Sequence, residues 1–196
     1  RKNQTKLTLI NQLLACDDLT GISDATTDQL DDAVSTYIQK SIHANNITHA
    51  SVYFRDLNNG PWFGIGEDDV FLPASLLKVP LLISALKAAE TDSSILTKTA
   101  SYSTDISPVS ATIVPENAIQ KNKKYSFQEL LEYMIRYSDN NAALLVNKLV
   151  PSDAQSDVYK QFGVVLPNSA DYVITVKNYA SFFRILYNAT YLSAES

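Results

Sequence analysis

Phe71-Leu72-Pro73-Ala74-Ser75-Leu76-Leu77-Lys78-Val79-Pro80 is the stretch on which the reading of this chain turns. Pro73-Ala74-Ser75 opens an apolar segment that runs to about Ala89, long enough for a helix. On a helix, residues three apart share a face, so the amine of Lys78 approaches the hydroxyl of Ser75. A serine alone is a weak nucleophile, and a neutral amine within hydrogen-bond reach can take its proton. The N–H groups and positive end at a helix start favour a developing oxyanion. Pro80 cannot donate to the carbonyl of Leu76, which predicts a kink or a tightened first turn.

A Ser-x-x-Lys pattern by itself says little, since average composition yields about one in a chain of this length. Ser84-Ala85-Leu86-Lys87 is indeed a second. It stands about half a rotation away at ~100° per residue, in mid-helix and far from the exposed N–H groups. Ser84 is therefore read as structural and Ser75 as the candidate nucleophile.

Downstream, Ser138-Asp139-Asn140 is a tripeptide expected by chance in only roughly a few per cent of such chains. The capping box Ser126-Phe127-Gln128-Glu129 starts a helix over 130–137, and periodicity resumes from Asn141 to Leu149. The tripeptide thus falls at a break between helices. There Ser138 is placed to pass a proton to a leaving nitrogen, and Asn140 to bind a substrate amide.

These two motifs, in this order and at this separation, resemble the penicillin-recognising serine hydrolases, and most closely the class A β-lactamase-like family. The resemblance covers about residues 27–191. It implies a β-lactamase/transpeptidase-like fold, α/β plus all-α, with an antiparallel sheet flanked by helices and an inserted helical domain. It assigns catalysis to Ser75, Lys78 and Ser138, substrate binding to Asn140 and a structural place at the site to Asp139. The implied ligands are β-lactams or D-Ala-D-Ala-like cell-wall peptides, in an extracytoplasmic setting, with no cofactor. As the base, Lys78 needs a lowered pKa, expected from burial against Leu76, Leu77 and the helical domain with Asn140 as partner.

Two departures qualify the resemblance. The family's third motif, Lys-Thr-Gly, is absent; the only Lys-Thr, Lys98-Thr99, continues to Ala100. In the family that motif lies on a late strand, so the expectation is that the C-terminal strands lie beyond this sequence. The glutamate that activates water for deacylation is also missing. From Asn141 to Ala194 the acidic residues are Asp153, Asp157 and Asp171, with no Glu. Slow deacylation follows, with Asp171 the one candidate substitute.

Upstream, Leu30, Val34, Tyr37, Ile38 and Ile42 recur at helical spacing within 27–44. Residues 51–55 and 62–66 read as a hairpin around Asn58-Asn59-Gly60-Pro61. Gly64 and Gly66 lack the third glycine of a nucleotide loop. Residues 152–174 read as a loop with short structure. A last helix over 178–191 is expected to turn Tyr179, Phe182, Phe183, Leu186 and Tyr187 inward. The expected order is helix, hairpin, then helices only, divided as 1–26 extension, 27–90 with the serine helix, and 91–196 helical. One hairpin makes a poor sheet, since three or more strands are usually needed. The missing strands are expected from a C-terminal fragment or a second chain.

Composition excludes other classes. Hydrophobic residues make 45% of the 196 and charged residues 19%, a globular balance. A net charge of −5 argues against nucleic acid, which calls for clustered Lys/Arg. Cys16 stands alone, so no intrachain disulfide or cysteine zinc cluster is expected. His43 and His49 are too few for a zinc site, and both precede Ser75 without a G-x-S-x-G elbow, against a Ser-His-Asp hydrolase. No apolar run nears the ~20 residues of a membrane helix. The chain opens at Arg1 without Met, which predicts upstream sequence. Leu13-Leu14-Ala15-Cys16 has the look of a lipoprotein box, but its flank is too short and polar for export, and Cys16 is read as a buried helical cysteine. Asn3, Asn46 and Asn188 head glycosylation tripeptides too common to decide anything. From another functional class, the alternative is a non-catalytic module that binds a cell-wall peptide or a partner.

Overall fold

A computed structural model describes residues 24–58, 60–104, 115–164, 172–188, 191–193 and 196. Cys16, the lipoprotein-like box and Asp171 lie outside the described residues. The chain forms two compact units, residues 1–72 with 169–191, and residues 73–168 with 192–196.

The first unit begins with α1, Ala25–His43. Asp24 caps it, its carboxylate accepting from the Thr27 N–H at 2.7 Å. Asp28 in the first turn and Lys40 and His43 in the last complement the helix dipole. Of the apolar stripe only Ile38 is buried, and Tyr37 is 71% exposed. β1, Val52–Arg55, and β2, Trp62–Ile65, pair antiparallel from Val52 opposite Ile65 to Arg55 opposite Trp62. Phe54 stacks on Phe63 across the ladder at 5.3 Å. Gly66 ends the hairpin at φ +57°, a left-handed conformation that glycine adopts without a Cβ clash. β1 packs against α6, Val176–Tyr187, and β2 against α1.

Two expectations are corrected here. Strands do follow the hairpin: β3, Val70–Phe71, pairs antiparallel with β6, Ile174–Thr175. A two-residue ladder is too short for alternation to reveal. In α6, Phe182 is fully buried, but Phe183, Leu186 and Tyr187 are exposed. The helix buries one narrow face, and its aromatic content overstates its burial.

The second unit opens on a 3-10 turn, Ala74–Leu77, that runs into α2, Lys78–Thr91. This is the tightened start expected from Pro80, whose missing N–H falls among the first residues of α2, where no intrahelical partner is due. A further 3-10 turn, Ser93–Thr97, leads to β4, Thr99–Ala100, which pairs antiparallel with β5, Tyr125–Ser126. α3, Phe127–Arg136, starts at the capping box: the Glu129 N–H donates to Ser126 Oγ at 3.3 Å, and the Ser126 N–H to Glu129 Oε2 at 2.7 Å. α4, Asn140–Leu149, and α5, Ser152–Gln161, complete the unit. α5 replaces the loop expected after Pro151. Its sequence is polar and buries little beyond Val158 and Tyr159, so periodicity gave no signal.

The core lies among α2, α3 and α4, with Leu81, Ala85, Phe127, Leu130, Met134, Leu145 and Val146 buried together. Each large side chain there contributes about 1.5–3 kcal/mol of burial. That core holds the α3–α4 break against the start of α2. We expect Ser126→Ala to cost about 1 kcal/mol in urea unfolding, with the slope on urea unchanged, because it removes the cap and leaves the core intact.

Candidate active site

Ser75 and Lys78 sit at the junction of the 3-10 turn with α2. A 3-10 helix has 3.0 residues per turn, so side chains at i and i+3 stand directly in line. Lys78 Nζ accordingly lies 3.0 Å from Ser75 Oγ. The third group comes from the end of α3, where the chain closes on Ser138 in the left-handed region at φ +57°. That turn brings Ser138 Oγ to 3.1 Å from Ser75 Oγ and 3.0 Å from Lys78 Nζ. Lys78 also donates to the Ser138 carbonyl at 3.0 Å and to Asn140 Oδ1 at 2.7 Å. Four of the five residues singled out in the sequence thus meet at one amine.

Asp139, the fifth, turns inward and is 2% exposed. Its Oδ1 accepts from the Asn141 and Ala142 N–H groups at 2.8 and 3.0 Å, capping α4. Its Oδ2 accepts from the Ile119 N–H at 2.7 Å. Nothing in the residue pattern points to Ile119, because the contact is made by backbone and leaves no residue-type signature.

Lys78 is 7% exposed while Ser75 and Ser138 lie at the surface. Burial pushes its pKa down from the ordinary lysine value, and the charge of Asp139 opposes this. Leu76 and Leu77, expected to cover the amine, are themselves exposed, so the cover comes from the α3–α4 break. Two of the four oxygens around Nζ are carbonyls and can only accept. A neutral amine has two N–H groups for these and one lone pair for a hydroxyl. The ring of partners therefore suits the neutral base. Ser84 is fully buried and donates to the Pro80 carbonyl at 2.8 Å, which is the structural part read from its mid-helix position.

Four described non-glycine residues have positive φ: Asn45, Ala74, Asn122 and Ser138. Asparagine tolerates that region, whereas alanine and serine do so at a cost of about 1–2 kcal/mol. Ala74 and Ser138 adjoin or form the site. Strain at this spot is spent on aiming two hydroxyls. Of the acidic residues after the tripeptide, Asp153 and Asp157 are exposed on α5. Thr99 of the incomplete Lys98-Thr99 pair is held in β4 opposite Ser126.

The sequence matches the profile described as the beta-lactamase enzyme family over residues 33–196. No curated protein matches it in sequence. Among solved structures, a mutant of PBP-A described as an acyl-enzyme complex with penicillin G aligns at TM-score 0.62 and 22% identity, over 84% of this chain and 65% of that one. A β-lactamase from Sphaerobacter thermophilus DSM 20745 aligns at TM-score 0.66 and 22% identity, over 83% and 64%. An ancestral class A β-lactamase aligns at TM-score 0.64 and 19% identity, over 84% and 66%. The chain spans slightly under two thirds of each of these structures.

If the left-handed turn before Ser75 is strained, Ala74→Gly relieves it. We expect that variant to gain up to about 1 kcal/mol in stability, the relief being partly offset by the freer unfolded chain. A lower melting temperature would show that the turn carries less strain than the freer unfolded chain costs.

Proposed function

The chain belongs to the beta-lactamase enzyme family, and from that premise we propose that it is an active-site-serine hydrolase or acyltransferase, acylated at Ser75 by β-lactams or D-Ala-D-Ala-like cell-wall peptides. The observation that carries the reading is the buried Lys78 amine at 3.0 Å from the Ser75 hydroxyl. Neutral Lys78 takes the Ser75 proton as Oγ attacks the substrate carbonyl carbon. The N–H groups at the start of the serine turn stabilise the oxyanion. As the C–N bond breaks, the proton passes from Lys78 through the Ser138 hydroxyl to the leaving nitrogen. Asn140 holds Lys78 with its carbonyl oxygen and keeps its amide nitrogen for the substrate's amide carbonyl. The penicillin acyl-enzyme described for the PBP-A mutant supports the same outcome on this fold.

Deacylation is slow in this reading. Residues 141–194 hold no Glu to activate water, and Asp153 and Asp157 stand exposed on α5. Cell-wall peptides lie outside the cytoplasmic membrane, so the protein works extracytoplasmically.

Incubation of the chain, together with the C-terminal part or second chain that completes its sheet, with a labelled penicillin and peptide mapping should place the adduct on Ser75, with none on Ser84, and the adduct should persist for many turnover times of an ordinary enzyme. Lys78→Ala should abolish labelling. The acylation rate should rise with pH through an apparent pKa below that of an ordinary lysine, since the neutral amine is the reactive form. The same shift has a sign in stability. The unfolded chain holds this proton more tightly, so Lys78 disfavours the fold increasingly as pH falls below the ordinary lysine pKa. Label elsewhere, or none, would turn the assignment to a non-catalytic binding module.

Among the described residues the β1–β2 ladder is a two-stranded sheet, fewer strands than independent stability usually needs. We propose that further strands pair with it in the working protein, supplied by a C-terminal part of the same protein or by a second chain. Residues 1–196 alone should then give a broad melt, self-association on sizing and little penicillin labelling. A monodisperse, cooperatively melting monomer that labels at Ser75 would overturn this.

A further inference from the structure

We propose that the phenols of Tyr102 and Tyr125 are positioning groups for Ser138, acting through one partly buried peptide unit; this rests on the reading of Ser75 as the acylated residue. Tyr102 lies just after β4 and Tyr125 opens β5, and both are buried. The Tyr102 hydroxyl donates to the Ile119 carbonyl at 2.7 Å. The Gln120 N–H donates to the Tyr125 hydroxyl at 2.8 Å. Those two backbone groups are the two ends of the same peptide unit, so two phenols grip it from opposite sides. The preceding N–H, of Ile119, is the one that binds Asp139 Oδ2. The Asn122 N–H donates to the Tyr102 carbonyl at 2.8 Å and closes the turn.

Buried backbone groups without a ladder partner must find one or cost about 1–3 kcal/mol each. Here the partners are specific side chains, one just after β4 and one in β5. The consequence reaches the site through Asp139. Its carboxylate is fixed at one oxygen by α4 and at the other by Ile119, and its own N–H donates to the Tyr133 carbonyl at 3.1 Å. Ser138 immediately precedes this anchored residue, in a left-handed conformation that an exposed serine leaves when released. If the Ile119 peptide drifts, Asp139 loses one of its anchors and Ser138 is free to relax. Its hydroxyl would then withdraw from both Ser75 and Lys78. Tyr125 adds a second tie, its ring meeting that of Tyr133 edge-on at 5.6 Å.

The test uses the whole protein and removes single hydroxyls. Tyr102→Phe keeps the buried ring and should still melt cooperatively. We expect its penicillin acylation rate to fall about fivefold to tenfold, the size of one lost hydrogen bond, with the concentration for half-saturation little changed. In a Ser138→Ala background, Tyr102→Phe should cause no further loss, because the hydroxyl it positions is gone. An equal loss in both backgrounds would overturn the proposal in favour of a general structural effect. A readout independent of activity separates this from the reading of Ser75. In Tyr102→Phe, NMR should show faster exchange of the Ile119 amide and Ser138 backbone shifts moving away from left-handed values. Unchanged exchange and shifts would overturn the proposal even if Ser75 acylates. Both changes in a protein that never acylates would sustain the positioning and defeat the function.

Discussion

A lysine amine held out of water must be surrounded by oxygens or lose its charge, and much of this site is arranged around that requirement. Lys78 Nζ has Ser75 Oγ, Ser138 Oγ, the Ser138 carbonyl and Asn140 Oδ1 within 3.0 Å. Bringing four oxygens to one nitrogen needs two chain segments to meet end-on. The serine turn supplies one oxygen, and the break between α3 and α4 supplies three. Asp139 stays outside the ring and binds only backbone N–H groups. Its negative charge restrains the fall in the Lys78 pKa and does not pair with the amine, so the lysine keeps access to a neutral form.

Such a meeting is unfavourable locally and is carried by the core behind it. Ala74 and Ser138 both sit in a region that costs about 1–2 kcal/mol each. Against this stand fully buried Phe127, Leu130, Met134, Ala142 and Val146 on α3 and α4, facing Leu81 and Ala85 of α2. Any three of the larger side chains outweigh the strain at about 1.5–3 kcal/mol apiece. The capping box on α3 and the Asp139 cap on α4 fix where each helix stops or starts. A shift of one residue at either end would rotate Ser138 away from the serine turn. Strain at the site and regularity next to it belong to one design.

How much of this was legible in the sequence depends on whether side chains or backbone carry the contact. That Ser75, Lys78, Ser138 and Asn140 meet is legible because their types and spacing state a chemistry. The Ser126–Glu129 cap and the tightened turn at Pro80 were found because each has a local cause. The β3–β6 ladder was not, since two residues on either side show no alternation. α5 was missed because it buries little beyond Val158 and Tyr159 and follows a proline that reads as a terminator. Tyr102, Tyr125 and Ile119 were invisible for a third reason. Their bonds run to main-chain atoms, where neither residue type nor periodicity leaves a trace. The inward turn expected of Phe183, Leu186 and Tyr187 failed because hydrophobic content alone does not say which face a neighbour covers.

The two halves of a serine hydrolase's cycle place different demands on a chain. Acylation needs a nucleophile, a base and a proton path within a few ångströms, and such a set can be built from one helix start and one turn. Here the residues proposed for those parts all fall between Ser75 and Asn140, inside one compact unit with its own core. Deacylation needs a water held on the far side of an ester by a second base, which calls for a separate carboxylate brought in by another segment. No glutamate follows Asn140 until Glu195. On these grounds the residues that acylation needs and those that deacylation needs are separable by physics. A chain can hold the first set in order while lacking the second. Within the β-lactamase fold, the proposed acylation thus asks for a local arrangement of groups, and rapid turnover asks for a second one placed independently of it.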